Sequence, residues 1–298
     1  MNNMAIEIKN LTKEFEGFKL DNVSFSVEKG TVMGLVGQNG AGKTTIIRLI
    51  MNAIAKTSGS ISVLGMDNVQ NEVAVKTRIG YVSDEDYLMV SSNLKKYAKI
   101  FAHMYENWDQ ELFEKYARGW ELPAKKKFST FSKGMKTKAM IALTLAHHPD
   151  VLILDEPTSG LDPVARIEVL DILRDIVSDG SKSVLFSTHI TGDLDKIADY
   201  VTVLIGGKVT ESMSIDKIEE KYAVVSGSLS SLSDSQKKYA VGIRRGASSY
   251  EALVERKYIS GFGEVSVHTP NIENLLTFSI WGHRTDTVEL DGKDEKNG

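Results

Sequence analysis

Apolar and polar residues alternate with period two over Ile6-Glu7-Ile8 and over Val23-Ser24-Phe25-Ser26-Val27. That pattern predicts antiparallel strands with one wet face. Val32-Met33-Gly34-Leu35-Val36 and Val151-Leu152-Ile153-Leu154 do not alternate. A short, continuously apolar run predicts a strand of a parallel sheet, buried on both faces. Further strands are expected at 61–64, 79–82, 183–187, 201–204 and 208–211. Helices are expected from Lys43, over 136–147 and 164–177, and briefly over 193–198. Alternating strands and helices make a doubly wound α/β core, in which ligands bind beyond the carboxyl ends of the strands.

Between 91 and 148 the pattern turns helical. Leu94, Tyr97, Ile100, Phe101 and Met104 recur at three- and four-residue steps, and Phe113, Tyr116 and Trp120 continue them. This predicts an inserted helical subdomain, at about 87–148. Its aromatic stripe can receive a partner helix, but such a stripe is more often core. Composition shifts near Ser212. The serine-rich stretch 226–235 reads as a linker or loop. Strand-like 239–243, helix-like 249–256, strand-like 265–268 and helix-like 271–281 then predict a small α/β appendage over 213–284. The polar, acidic end at 285–298 is expected to be disordered. Residues 1–212 form the main domain in this reading.

The chemistry starts at Gly37-Gln38-Asn39-Gly40-Ala41-Gly42-Lys43-Thr44-Thr45, between an apolar strand and a helix. A glycine-rich turn in that setting points backbone N–H groups at phosphate oxygens. Lys43 can then reach the β- and γ-phosphates, and the Thr44 hydroxyl can ligate Mg²⁺. A phosphate loop also needs a second metal ligand and a group that orients water. Asp155 and Glu156 emerge at the end of the apolar run 151–154 and fit those two roles.

Composition narrows the classes. The chain has 298 residues, enough for about two domains. Net charge is −4, which disfavours a general nucleic-acid binder. With no cysteine there is no disulfide, thiolate metal site or cysteine nucleophile, as fits a reducing cytosol. The first residues lack the pattern of a secretory signal. No apolar stretch approaches the ~20 residues that span a bilayer, so at a membrane another chain must supply the span.

Three more segments complete a pattern: Phe131-Ser132-Lys133-Gly134-Met135-Lys136, Leu154-Asp155-Glu156-Pro157-Thr158-Ser159-Gly160-Leu161-Asp162-Pro163, and Ser187-Thr188-His189. In this order they strongly resemble the ATP-binding-cassette (ABC) ATPases over roughly 6–211, most of all the bacterial drug- and peptide-export branch. The resemblance implies a P-loop NTPase core with a mixed sheet, an antiparallel N-terminal β subdomain and the helical insertion. It implies Mg-dependent ATP hydrolysis, with Gly37, Asn39, Gly40, Ala41, Gly42, Lys43, Thr44 and Thr45 on the phosphates, Thr44 and Asp155 on Mg²⁺, and Glu156 polarising water.

Residue by residue, the resemblance makes Phe15 the aromatic that stacks on adenine, although spacing alone favours an edge-of-core role for Phe15 and Phe18. Ser132 and Gly134 match signature residues that touch the γ-phosphate of ATP held by an opposite subunit. Asp162 matches the loop that communicates between paired sites, and His189 the γ-phosphate histidine. The implied partners are a transmembrane permease and a second ATPase, as homodimer or heterodimer, with no nucleic acid. The implied location is the cytoplasm, peripheral on the inner face of the membrane.

Two departures stand out. Phe131, Lys133 and Met135 replace three of the five residues of the usual Leu-Ser-Gly-Gly-Gln signature. Asp84, in Ser83-Asp84-Glu85-Asp86, stands where most members have a metal-ligating glutamine. Either Asp84 binds Mg²⁺ through a water, or its loop is displaced until the partner docks, or the acids are a solvated turn. The expected function is the ATPase subunit of an exporter of a drug, peptide or lipid-like substrate. The alternative is a soluble ABC ATPase acting on ribosome or DNA. A GTPase or small-molecule kinase explains neither the signature segment nor the missing Asn-Lys-x-Asp motif.

Overall fold

A computed structural model describes residues 3–83 and 91–283 of the chain. Two long strands, β1 (Met4–Phe15) and β2 (Phe18–Glu28), come first, and β3 (Val32–Val36) leads through the glycine turn into α1 (Lys43–Ile50). β4 (Ser58–Val63), β5 (Met66–Asp67), α2 (Glu72–Arg78) and β6 (Ile79–Ser83) follow. Next are α3 (Leu94–Met104), α4 (Gln110–Gly119) and α5 (Lys133–Leu145). Then the chain alternates through β7 (Val151–Asp155), α6 (Pro163–Val177), β8 (Ser183–Thr188), α7 (Thr191–Leu194), β9 (Tyr200–Ile205) and β10 (Lys208–Ser214). Contacts divide the backbone into two compact units, one up to Ser212 and one from Met213 onward.

In the first unit an antiparallel sheet has the order β2-β1-β4-β5 and a six-stranded sheet the order β10-β9-β3-β8-β7-β6. The pairs β9–β3, β3–β8, β8–β7 and β7–β6 are parallel. Every residue of β3, β7 and β8 is buried, which is why β3 and the first four residues of β7 are apolar runs without alternation. The register fixes where these strands end. Val36 lies opposite Thr188, and Asp155 lies opposite Ser187. The residues that follow β3, β7 and β8 therefore leave the sheet side by side at its carboxyl edge.

The helical insertion has its own core, built from Leu94, Phe113, Leu122, Phe128, Phe131 and Leu143 among others. Tyr97, Phe101, Tyr116 and Trp120 pack against it, so most of the predicted aromatic stripe is core. Ile100 and Met104 are the exceptions and stay exposed. α5 begins three residues earlier than the expected 136–147, because the Ser132 side chain caps it by accepting from the Met135 N–H.

The second unit contains α8 (Ile215–Lys221), β11 (Tyr222–Ser228), α9 (Asp234–Lys237), β12 (Ala240–Arg245), β13 (Ser249–Glu255), β14 (Ser266–His268) and α10 (Ile272–His283). Its sheet is antiparallel, in the order β12-β13-β11-β14. Two local expectations fail here. The stretch 249–256 is a strand, not a helix, and 226–228 belong to β11 instead of a linker. Glu251, Ala252, Leu253 and Glu255 suit a helix by propensity. Tertiary pairing on both sides of β13 overrides that, burying Tyr250, Ala252 and Val254 in one core. The tail 285–298 lies outside the described residues. Among the described residues no helix is long and apolar enough to cross a membrane.

His147, just beyond α5, is 1% exposed, and its ring stacks on Tyr105 at 3.9 Å and 8°. Its Nδ1 has no hydrogen-bond partner among the described residues. Burial, with minor repulsion from His148 and Lys182, pushes its pKa from 6.5 to about 4. Between those values the unfolded chain binds a proton that the folded chain refuses, so stability falls as pH falls through this window. At about 1.4 kcal/mol per pKa unit, this one group should cost roughly 2 kcal/mol between pH 7 and pH 5. In urea denaturation at both pH values, His147→Phe should lose that much less than the parent chain. Equal losses would show that His147 is not kept neutral.

Candidate active site

The turn after β3 sets the first part of the site. Gly42 caps α1 with φ 113°, a conformation L side chains rarely adopt. A Cβ there would also lie 3.0 Å from the Phe18 ring. Only glycine lets the chain enter α1 at this angle. Lys43 is thereby the first residue of α1, and it is 6% exposed. Its Nζ donates to the Gly37 carbonyl at 2.8 Å and the Gln38 carbonyl at 3.4 Å. Ala41 N–H closes the turn onto the Gln38 carbonyl at 3.0 Å. Gly37 and Ala41 are buried, Asn39, Gly40 and Thr44 are exposed, and Thr45 is half-buried.

The second part comes from β7 and β8. Ser187 Oγ donates to Asp155 Oδ1, and the Thr44 hydroxyl also bonds this carboxylate. Burial pushes the Asp155 carboxyl above its ordinary value; those hydrogen bonds oppose the shift, and the neighbouring Glu156 charge adds to it. Glu156 has a left-handed backbone, φ 52°, held by its N–H donating to the Ser187 carbonyl at 3.0 Å. This turn swings its carboxylate between two cationic or potentially cationic groups. Oε1 lies 3.2 Å from Lys43 Nζ, and Oε2 lies 2.8 Å from His189 Nδ1. The His189 N–H also donates to Oε2, at 3.3 Å. Lys43, Glu156 and His189 are distant in sequence, and the parallel register brings them together.

Asp155 and Thr44 are a hard oxygen pair suited to Mg²⁺. A buried carboxylate whose charge is disfavoured, beside a second carboxylate, is what a divalent cation would compensate. Among the described residues no three His, Asp or Glu side chains converge as a complete metal cage. Oxygen ligands from phosphate and water would complete the shell, as is usual for this ion.

The third part lies at the starts of α5 and α6. Ser132 is exposed and Gly134 buried. A Cβ on Gly134 would lie 2.8 Å from the Ala165 Cβ, so glycine allows the two helices to meet. Asp162 caps α6 by accepting from Val164 and Ala165 N–H at 3.0 Å each. Lys138 to Glu168 at 2.8 Å adds a second link between α5 and α6. The departures in the signature now have local reasons. Phe131 packs edge-on against Phe128 in the helical core, and Met135 packs against the same core. The Lys133 side chain lies over Gly160, in the loop before Asp162.

Phe15 is 46% exposed beside the half-buried Phe18, so the edge-of-core reading fits Phe18 and not Phe15. Asp84 lies outside the described residues. Sequence reasoning missed the role of Ser187, which both fixes the Asp155 carboxylate and anchors the Glu156 backbone. Its only signal was a polar residue at the end of an apolar strand.

A family model described as ABC transporter matches residues 20–159. The chain is 33% identical to the bacitracin transport ATP-binding protein BcrA of Bacillus licheniformis, over 72% of each chain. It is 35% identical to the Nod factor export ATP-binding protein I of Rhizobium johnstonii, covering 73% of this chain and 72% of that protein. The solved ATP-binding subunit of an ABC transporter matches 72% of this chain and 92% of its own, with a TM-score of 0.65 and 27% identity. The chain belongs to the ABC transporter family, as a nucleotide-binding ATPase subunit that powers a membrane transporter.

Proposed function

We propose that this subunit drives export, and that its active site is completed by a second ATPase subunit. The observation that carries the reading is the Glu156 carboxylate held between Lys43 and His189 at the carboxyl edge of the sheet. In this reading Glu156 polarises the attacking water. His189 and Lys43 contact the γ-phosphate, and the loop from Gly37 to Thr45 cradles the phosphates. Phe15, exposed at the hairpin tip, stacks on adenine. Mg²⁺, when bound, neutralises phosphate charge, and Thr44 and Asp155 would hold it, with Asp84 as a further candidate ligand. Catalysis is positioning and electrostatic stabilisation.

Ser132 and Gly134 supply the γ-phosphate contacts of the opposite subunit's site. They open α5, whose positive end favours anions. Asp162, at the start of α6, carries information between the paired sites. The pair is a homodimer, or a heterodimer with a related ATPase. Closure pushes on a transmembrane permease, which holds the subunit at the inner face of the membrane. Residues 1–212 are the ATPase domain, with its helical part at about 87–148, and 213–284 an accessory domain. The names of BcrA and of the Nod factor protein favour transport over a role on ribosome or DNA. A drug, peptide or lipid-like cargo fits those relatives.

Glu156→Gln should still bind ATP, turn over at least about a hundredfold more slowly, and accumulate a dimer in ATP. Phosphate release and light scattering measure both effects; wild-type turnover, or a variant that stays monomeric at saturating ATP, would contradict the reading. Phe15→Ala should raise the KM for ATP about fivefold and spare kcat, as loss of roughly 1 kcal/mol of stacking requires. An unchanged KM would return Phe15 to a structural role.

A further inference from the structure

Behind the phosphate-facing side of the site lies a buried charge that the reaction does not use directly. Asp193, in α7, has a side chain only 1% exposed. Its Oδ2 accepts from the Thr158 hydroxyl at 2.6 Å, and its Oδ1 from Arg166 Nε at 2.5 Å. Thr158 is itself 1% exposed. Asp193 has lost its hydration while Arg166 stays 31% exposed. A buried carboxylate held by such a partner adds little net stability, since apolar residues of similar volume often stabilise a fold as well or better. Its position points to a role other than stability.

The partners of Asp193 belong to the segments that carry the proposed functional groups. Thr158 follows Glu156 by two residues, Arg166 follows Asp162 by four, and Asp193 follows His189 by four. Glu156 sits in a left-handed conformation, which a side chain keeps only when its surroundings hold it. One restraint is the Glu156 N–H on Ser187. The other acts from the following side. The Ser159 N–H donates to the Glu156 carbonyl at 3.1 Å, the Leu161 N–H to the Thr158 carbonyl at 3.3 Å, and the Thr158 side chain is fixed by Asp193.

We propose that Asp193 is a positioning residue that holds the Glu156 turn and the His189 turn in one register. Through Arg166 it ties that register to the start of α6, where Asp162 sits. The inference rests on the reading of Glu156 as the group that polarises water. Asp193 works at a distance: it sets where the Glu156 carboxylate and the His189 ring stand, and misplacement of such groups by about 1 Å can cost on the order of a hundredfold in rate.

The test is steady-state ATP hydrolysis by the full chain carrying Asp193→Asn, Thr158→Val or Thr158→Ser, with melting temperature recorded in parallel. Asp193→Asn should lower kcat between about ten- and a hundredfold while the KM for ATP changes less than twofold. Thr158→Val should lower kcat in the same manner, and Thr158→Ser, which keeps the hydroxyl, should restore it. A purely structural role would lower the melting temperature and leave kcat per folded molecule unchanged; that result overturns the proposal. If Asp193→Asn does not fold, the Thr158 pair decides, with equal kcat for Val and Ser as the overturning outcome. Glu156→Gln measured alongside separates the two claims. Full turnover by that variant would reject the role of Glu156, whereas a kcat loss in Glu156→Gln without one at Asp193 and Thr158 would reject this proposal alone.

Discussion

Two adjacent carboxylates at the end of a fully buried strand constrain the whole site. Asp155 and Glu156 leave β7 together, and the Glu156 charge adds to the burial that disfavours ionisation of the Asp155 carboxyl. The surrounding elements divide them. Asp155 stays inward and takes hydroxyl donors from Thr44 and Ser187. Glu156 turns through a left-handed residue and meets Lys43 and His189. At 3.2 Å and an effective dielectric constant near 20, Lys43 and Glu156 attract with about 5 kcal/mol of gross Coulomb energy, largely offset by desolvation. The pair therefore serves more to place two charges than to hold the fold together.

The placement depends on the order β3-β8-β7 in the sheet. Because the three strands are parallel and in register, their ends coincide, and groups 113 and 33 residues from Glu156 in the chain, at Lys43 and His189, become neighbours. The helical insertion enters the same arrangement from α5. Its own core includes Phe131 from the signature segment, so that segment is fixed by packing on one side and by the Gly134–Ala165 contact on the other.

Much of this was legible in the residues. The apolar runs predicted the buried parallel strands, and the order of the motifs predicted an ABC ATPase subunit, as the relatives show. The glycine turn with Asp155 and Glu156 is the proposed phosphate and metal site. What escaped was decided by tertiary contacts. Residues 249–256 carry residues that suit a helix, yet two flanking strands make them β13. The roles of Ser187 and Asp193 leave no spacing signal, since each acts through a neighbour that only the sheet register brings close. Phe131, Lys133 and Met135 departed from a familiar motif, and packing against the helical core and over Gly160 accounts for them.

In the proposed assembly the loop before Lys43 forms half of a site, and Ser132 and Gly134 of another subunit form the rest. Mixing two inactive variants, Lys43→Ala and Ser132→Arg, shows whether sites are shared in this way. If sites are shared between two copies, half of the randomly paired dimers contain one intact site, and ATPase activity should recover to about a quarter of the parent value. Activity that stays at the level of either variant alone, at concentrations where the parent chain is dimeric in ATP, would contradict the shared site.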